Sequence, residues 1–373
     1  MIIGIDGNEA NVQERVGVNQ YAWEVLWNIY KLSDEWKDNH KVVIFLKDKP
    51  RELPPEKEYW KYRILEGSGL WIIKKLTPEI ILGKEKIDVL WSPSHYVPPI
   101  LTKPRVCSIM DLGYLKFSEQ FKKRDFWQLK IWSAWSIIVS KYIITISQSS
   151  KKEIVRRYPF ASRRVRVTLL SYDNNRFNKD ISVNDVRRVK AKYTMGSDYV
   201  LFMSTLKPSK NIDGLLRAWK IVQEDNRGVK LMIAGKRGWM YEKVFSLVKE
   251  LGLEKDVLFT GFVKEEEKPA LIKGARAFVM PSFWEGFGLD VLSAMACGVA
   301  VVISDRGSLR EIAGDAAVYV VPESEESIAE GIRKVLKMEK KSYNSLVERG
   351  LKRVKLFSWE KTARETLEVI TGA

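Results

Sequence analysis

Short apolar runs rich in β-branched residues recur along this chain, and longer stretches of helical period separate them. Ile2 to Ile5, Val42 to Leu46, Val89 to Trp91, Val106 to Ile109 and Ile143 to Ile146 read as buried strands. Tyr21 to Leu32 reads as an intervening helix. The pattern restarts further on, with strands predicted at Tyr199 to Met203, Lys230 to Ala234, Val257 to Thr260, Ala277 to Met280, Val299 to Ile303 and Val318 to Val320. Helices are predicted at Asp213 to Gln223, Tyr241 to Leu251, Leu289 to Ala296 and Glu326 to Leu336. Such alternation implies an α/β protein with parallel sheets covered by helices on both faces. Two doubly wound halves follow, joined through residues 171–197.

A chain of 373 residues exceeds what one hydrophobic core usually supports, in keeping with two domains. The two cysteines, Cys107 and Cys297, lie in apolar surroundings and read as small core residues. With only His40 and His95, no zinc-ligand spacing can be built. The N-terminal Met-Ile-Ile-Gly-Ile-Asp reads as a buried strand, and no signal peptide is expected there. The most apolar central run, Ile131 to Ile146, is broken by Ser133, Ser136, Ser140 and Lys141 and falls short of a transmembrane helix.

Candidate chemistry concentrates between Pro281 and Ala300. Glu285 sits in a loop flexed by Gly286 and Gly288, and a small-residue helix follows. Glycine lets the backbone approach a ligand, and a helix N-terminus offers unpaired N–H groups to a phosphate. On spacing alone, a strand-to-helix turn with a solvated glutamate is an equal reading.

The same segment resembles the C-terminal signature of the group 1 family of retaining, nucleotide-sugar-dependent glycosyltransferases, which have the GT-B fold. Further segments that resemble the family follow in order: Val16 to Tyr21, Ile109 to Leu112, Thr145 to Lys151, Leu206 to Asn211, Ile233 to Lys236, Phe259 to Val263 and Phe357 to Thr362. The resemblance implies two Rossmann-like domains facing across a cleft, at 1–175 for the acceptor and 176–355 for the nucleotide sugar. A C-terminal helix in 356–373 would pack on the first domain.

By resemblance, Glu285 contacts the donor sugar hydroxyls, Lys210 neutralises the leaving diphosphate, and Asp111 is a polar group on the acceptor side. Donor-binding candidates are Gly17, Thr205, Lys207, Ser209, Val263, Phe287, Gly288, Leu289 and Ser293. The backbone amides of the 287–289 turn would hold the phosphates. Three positions depart from the family pattern: Ser209 stands for a basic residue, Ser293 for a ribose-gripping glutamate, and Met110 for the histidine before Asp111. Lys207 could stand in for the first and His95 for the last. Asn19 replaces a second glycine after Gly17 and is expected to tolerate positive φ there.

The implied enzyme moves a hexose from a nucleotide sugar to a glycan or lipid-linked acceptor without a metal or other cofactor. The Thr205 to Asn211 and Ala234 to Trp239 patterns look most like mannosyltransferases, favouring GDP-mannose over UDP sugars. The alternative is a catalytically impaired relative that binds sugar nucleotide as a subunit or scaffold.

Charge adds one more expectation. Of the net +16, +10 falls between Lys116 and Arg166, where Phe117, Phe121, Phe126, Trp127, Trp132 and Trp135 interleave with the basic residues. This composition suits a peripheral helix on an anionic membrane, and a cytoplasmic protein on the inner face of the membrane is expected. The other reading is a solvated basic face over core aromatics. No helix-turn-helix, zinc-finger or RNA-recognition motif accompanies the charge, so nucleic acid is not an expected partner.

Overall fold

The computed structural model of the protein describes residues 1–235 and 241–373; Lys236, Gly238 and Trp239, part of the Ala234 to Trp239 pattern, lie outside the described residues. The chain divides into two compact units, one made of Met1–Leu170 with Ser358–Ala373 and the other of Ser171–Phe357. The division falls at 170/171, a few residues before the position expected from the sequence.

The first unit runs β1 (Ile2–Asp6), α1 (Val18–Lys31), α2 (Ser33–Trp36), β2 (Lys41–Leu46), β3 (Trp60–Ile64), α3 (Thr77–Leu82), β4 (Val89–Ser92), β5 (Arg105–Ser108), α4 (Lys123–Val139), β6 (Tyr142–Thr145), α5 (Gln148–Arg157) and β7 (Val165–Val167). Its strands form one parallel sheet in the order β3-β2-β1-β4-β5-β6-β7. In register, Ile5 lies between Ile44 and Trp91, and all three side chains are buried.

The second unit opens with α6 (Val183–Thr194) and continues through β8 (Tyr199–Met203), α7 (Ile212–Gln223), β9 (Lys230–Ala234), α8 (Tyr241–Glu250), β10 (Val257–Gly261), α9 (Lys268–Lys273) and β11 (Ala277–Met280). It ends with α10 (Leu289–Ala296), β12 (Val301–Ser304), α11 (Leu309–Ala313), β13 (Val318–Val320), α12 (Glu325–Leu336) and α13 (Lys340–Val354). Its sheet is also parallel, in the order β10-β9-β8-β11-β12-β13. Trp219, Phe202 and Val279 are fully buried in its core, and full burial of such side chains stabilises by about 1.5–3 kcal/mol each.

Both sheets are doubly wound, and the strand order reverses between β1 and β4 in one and between β8 and β11 in the other. Loops leaving the carboxyl ends of strands at such a reversal form the natural ligand-binding crevice of an open α/β sheet.

Several elements were not predicted, and three of them show why. β3 and β7 are edge strands, and their Trp-Lys-Tyr-Arg-Ile and Val-Arg-Val sequences alternate with charged residues instead of running apolar. Helix α6 occupies part of the expected connection 171–197, with Val189 as its buried apolar anchor among polar neighbours.

The chain returns to the first unit through α14 (Trp359–Thr371), which packs against α1. Ser358 caps it, its hydroxyl accepting from the Lys361 amide at 3.1 Å. Thr362 Oγ1 donates to the Leu169 carbonyl at 2.5 Å, and Arg364 reaches Glu35 on α2. Cys107 and Cys297 are free and buried, with burial raising both thiols to about 12.

Candidate functional site

At the reversal point of the second sheet, the loop after β8 meets the loop after β11. Lys210 ends a 3-10 turn, Pro208–Lys210, just ahead of α7. Asn211 adopts a left-handed conformation (φ 55°), and its side-chain amide donates to the carbonyls of Pro281 at 3.1 Å and Pro322 at 2.6 Å. The Phe283 amide donates to the Ser209 carbonyl at 2.9 Å. These bonds tie the two loops together.

The consequence is a close ion pair. Lys210 Nζ lies 2.6 and 2.8 Å from the two carboxylate oxygens of Glu285, whose side chain is 10% exposed. Ser282 Oγ adds a bond to Glu285 Oε1 at 2.8 Å. The Glu285 carbonyl accepts from the Ser308 amide at 3.1 Å, while Ser308 Oγ lies 2.6 Å from the Phe287 carbonyl. Gly307 packs so tightly here that a Cβ would stand 2.4 Å from the Glu285 carbonyl oxygen, and its φ of +60° favours glycine as well.

Gly288 (φ 107°) begins α10 with no side-chain cap, leaving first-turn N–H groups available to an anion. Asp290, in that turn, was not singled out from the sequence. Desolvation raises its carboxyl to about 6, against the lowering pull of Lys210 and Lys268. An acid in a helix's first turn is ordinary, and that masked its proximity to Lys210. Phe287, Val263 and Ser293 are buried, and Phe287 meets Phe357 edge to face at 6.0 Å. Thr205 and Lys207 are exposed, and Ser209 is half-buried.

The first unit carries Gly17, His95, Met110 and Asp111. Gly17 takes φ 54° at the start of α1, whereas Asn19 lies inside that helix and needs no positive φ. The Asn19 amide instead donates to Glu9 Oε2 at 2.7 Å, so its expected role in the turn is corrected to a bond from the first turn of α1 to the loop after β1. Asp6, the last residue of β1, and Glu9, just beyond it, were also missed. Burial raises both carboxyls, and Asp6 further raises Glu9. The available signal was Asp6 closing an otherwise apolar strand.

His95 follows β4, and burial lowers its imidazole to about 4, so it is neutral at physiological pH. Its Nε2 is buried without a hydrogen-bond partner. Asp111 Oδ1 accepts from the Gly113 amide at 2.6 Å, and the Met110 carbonyl accepts from Thr145 Oγ1 at 3.2 Å.

Residues 184–353 match the family described as "Glycosyl transferases group 1". Escherichia coli O-antigen chain mannosyltransferase B is 30% identical over 340 residues, covering 90% of this chain and 84% of that protein. Among solved structures, sucrose-phosphate synthase from Thermosynechococcus elongatus superposes with a TM-score of 0.74 at 18% identity, covering 100% of this chain and 98% of that one. Anabaena HepE in complex with UDP-glucose gives 0.73 at 16% identity, covering 100% and 99%. The two doubly wound sheets are those of the GT-B fold, and the chain belongs to the group 1 glycosyltransferases, with mannosyltransferases among its relatives.

Proposed function

We propose that this glycosyltransferase moves a hexose, mannose in the first instance, from a nucleoside diphosphate sugar to a hydroxyl of a cell-envelope glycan with retention at the anomeric carbon. The Lys210–Glu285 pair carries the reading, because it offers a carboxylate for sugar hydroxyls and an ammonium for a diphosphate side by side. As the bond from the anomeric carbon to the phosphate oxygen breaks, the electron pair goes to the diphosphate. Lys210 and the first-turn amides of α10 are placed to meet that negative charge, so no metal is required. The acceptor oxygen attacks from the face the diphosphate leaves and passes its proton to the departing phosphate oxygen. Retention then needs no enzyme nucleophile.

Ser293 offers a hydroxyl where the family pattern has a carboxylate for ribose, giving one neutral hydrogen bond in place of charge-assisted ones. Weaker nucleotide affinity is the consequence. Mannose is favoured by the O-antigen mannosyltransferase relative, whereas HepE was solved with UDP-glucose.

The test is release of nucleoside diphosphate from GDP-mannose and from UDP-glucose, with EDTA present, by the wild type and by Glu285→Ala. Turnover with GDP-mannose that falls on the order of 100-fold in the variant supports the reading. Turnover that survives Glu285→Ala, or that EDTA abolishes, overturns it.

A further inference from the structure

Helix α4 buries two serines beside Ile137 against the first sheet and leaves large apolar side chains outside. Ser133, Ser136 and Ile137 are its buried residues, and Ser136 Oγ donates to the His95 carbonyl at 2.6 Å. Trp127, Ile131, Trp135 and Ile138 are 53%, 62%, 41% and 51% exposed. Spacings of four, four and three place these side chains in one stripe along the helix. A helix that faced only water would carry the opposite pattern.

The stripe is bordered by positive charge. Lys130 Nζ lies 4.5 Å from the Trp127 ring centroid, and the Arg164 guanidinium lies 5.5 Å from that of Phe160, itself 59% exposed. Lys130 also lines a cavity of about 400 Å³ with Lys116, Phe126, Glu153, Arg156 and Arg157. Glu153 is engaged by Lys116 at 3.3 Å and by Arg156 at 3.8 Å. Among the described residues, no carboxylate lies within ion-pair distance of Lys130 or Arg157.

We propose that this face docks on an anionic lipid bilayer, with the α4 stripe seated at the interface and the cavity taking the phosphate of one acidic lipid. Charge decides the occupant. The surrounding segment Lys116 to Arg166 carries +10, which suits an acidic headgroup layer, and tryptophans beside lysines match the apolar-to-polar boundary of a membrane. Lys130 belongs to stripe and cavity alike, so apolar insertion and phosphate binding reinforce one another. Among the described residues, no helix is long and apolar enough to cross a membrane, and this contact is to one surface.

Co-sedimentation of the full chain with phosphatidylcholine vesicles, with and without phosphatidylglycerol and at low and high salt, tests the proposal. Binding is expected only with phosphatidylglycerol and is expected to weaken with salt. Lys130→Glu with Arg157→Glu, and separately Ile131→Ser with Ile138→Ser, should each lower partitioning on the order of tenfold or more without lowering the melting temperature. Binding indifferent to phosphatidylglycerol, or unaltered by both double variants, overturns it. So does a solution dimer that the serine variant dissociates while vesicle binding is unchanged, or inorganic phosphate that stabilises a protein unable to bind vesicles. No sugar nucleotide enters these measurements, so their outcome is separate from that of the transfer reaction.

Discussion

At the reversal point of the second sheet, Lys210 and Glu285 lie 2.6 Å apart on loops held by Asn211, Ser282 and Ser308, whereas the first sheet's corresponding loops hold two raised carboxyls, Asp6 and Glu9, and the neutral imidazole of His95. One strand order thus supports two kinds of edge. The second is internally paired before any ligand arrives, which suits the diphosphate of the proposed donor. The first retains a buried ring nitrogen without a partner, which under the proposed function would face an acceptor hydroxyl.

The comparison breaks first at the ion pair. Lys210→Ala should cut transfer on the order of 100- to 1,000-fold, read as kcat/KM with a soluble acceptor. An effect below tenfold would place the diphosphate elsewhere. Gly307→Ala comes next, since its Cβ meets the Glu285 backbone; about 1–3 kcal/mol of stability should be lost in urea unfolding, together with activity.

On the first unit, Asp111→Asn should lower transfer about tenfold, as loss of one good hydrogen bond would. Donor cleavage without acceptor should be unchanged. Equal loss of both activities would erase the distinction between the two edges.

The smallest effect concerns Asp290. Its folded-state pKa of about 6 exceeds the ordinary 3.8, so its protonated form stabilises the fold below pH 3.8, and that contribution is lost as pH rises through 6. Asp290→Asn should therefore melt above the wild type at pH 7.5, with the difference closing as pH falls towards 4. A variant that melts lower at pH 7.5 would show instead that Lys210 and Lys268 outweigh desolvation.

The sequence made the central strands legible because parallel strands buried on both faces read as unbroken apolar runs. Edge strands such as β3 obey no such rule, and a helix whose buried face holds serines, as in α4, defeats any period-based reading. Motif likeness also proved mixed in meaning. Thr145 to Lys151 and Phe357 to Thr362 contain the N-caps Ser147 and Ser358, which begin α5 and α14, whereas Leu206 to Asn211 brings an ammonium to a carboxylate. Asp290 stayed hidden because proximity across a sheet's reversal point leaves no trace in spacing.

The first unit needs α14, yet the chain reaches that helix only after threading all of Ser171–Phe357. During synthesis, the unit begun earliest is therefore completed last. The later one, drawn from a single uninterrupted stretch, has every segment it requires as soon as residue 357 leaves the ribosome. Until α14 follows, the face of α1 that it covers stays bare, and any pause in translation before that helix prolongs the exposure.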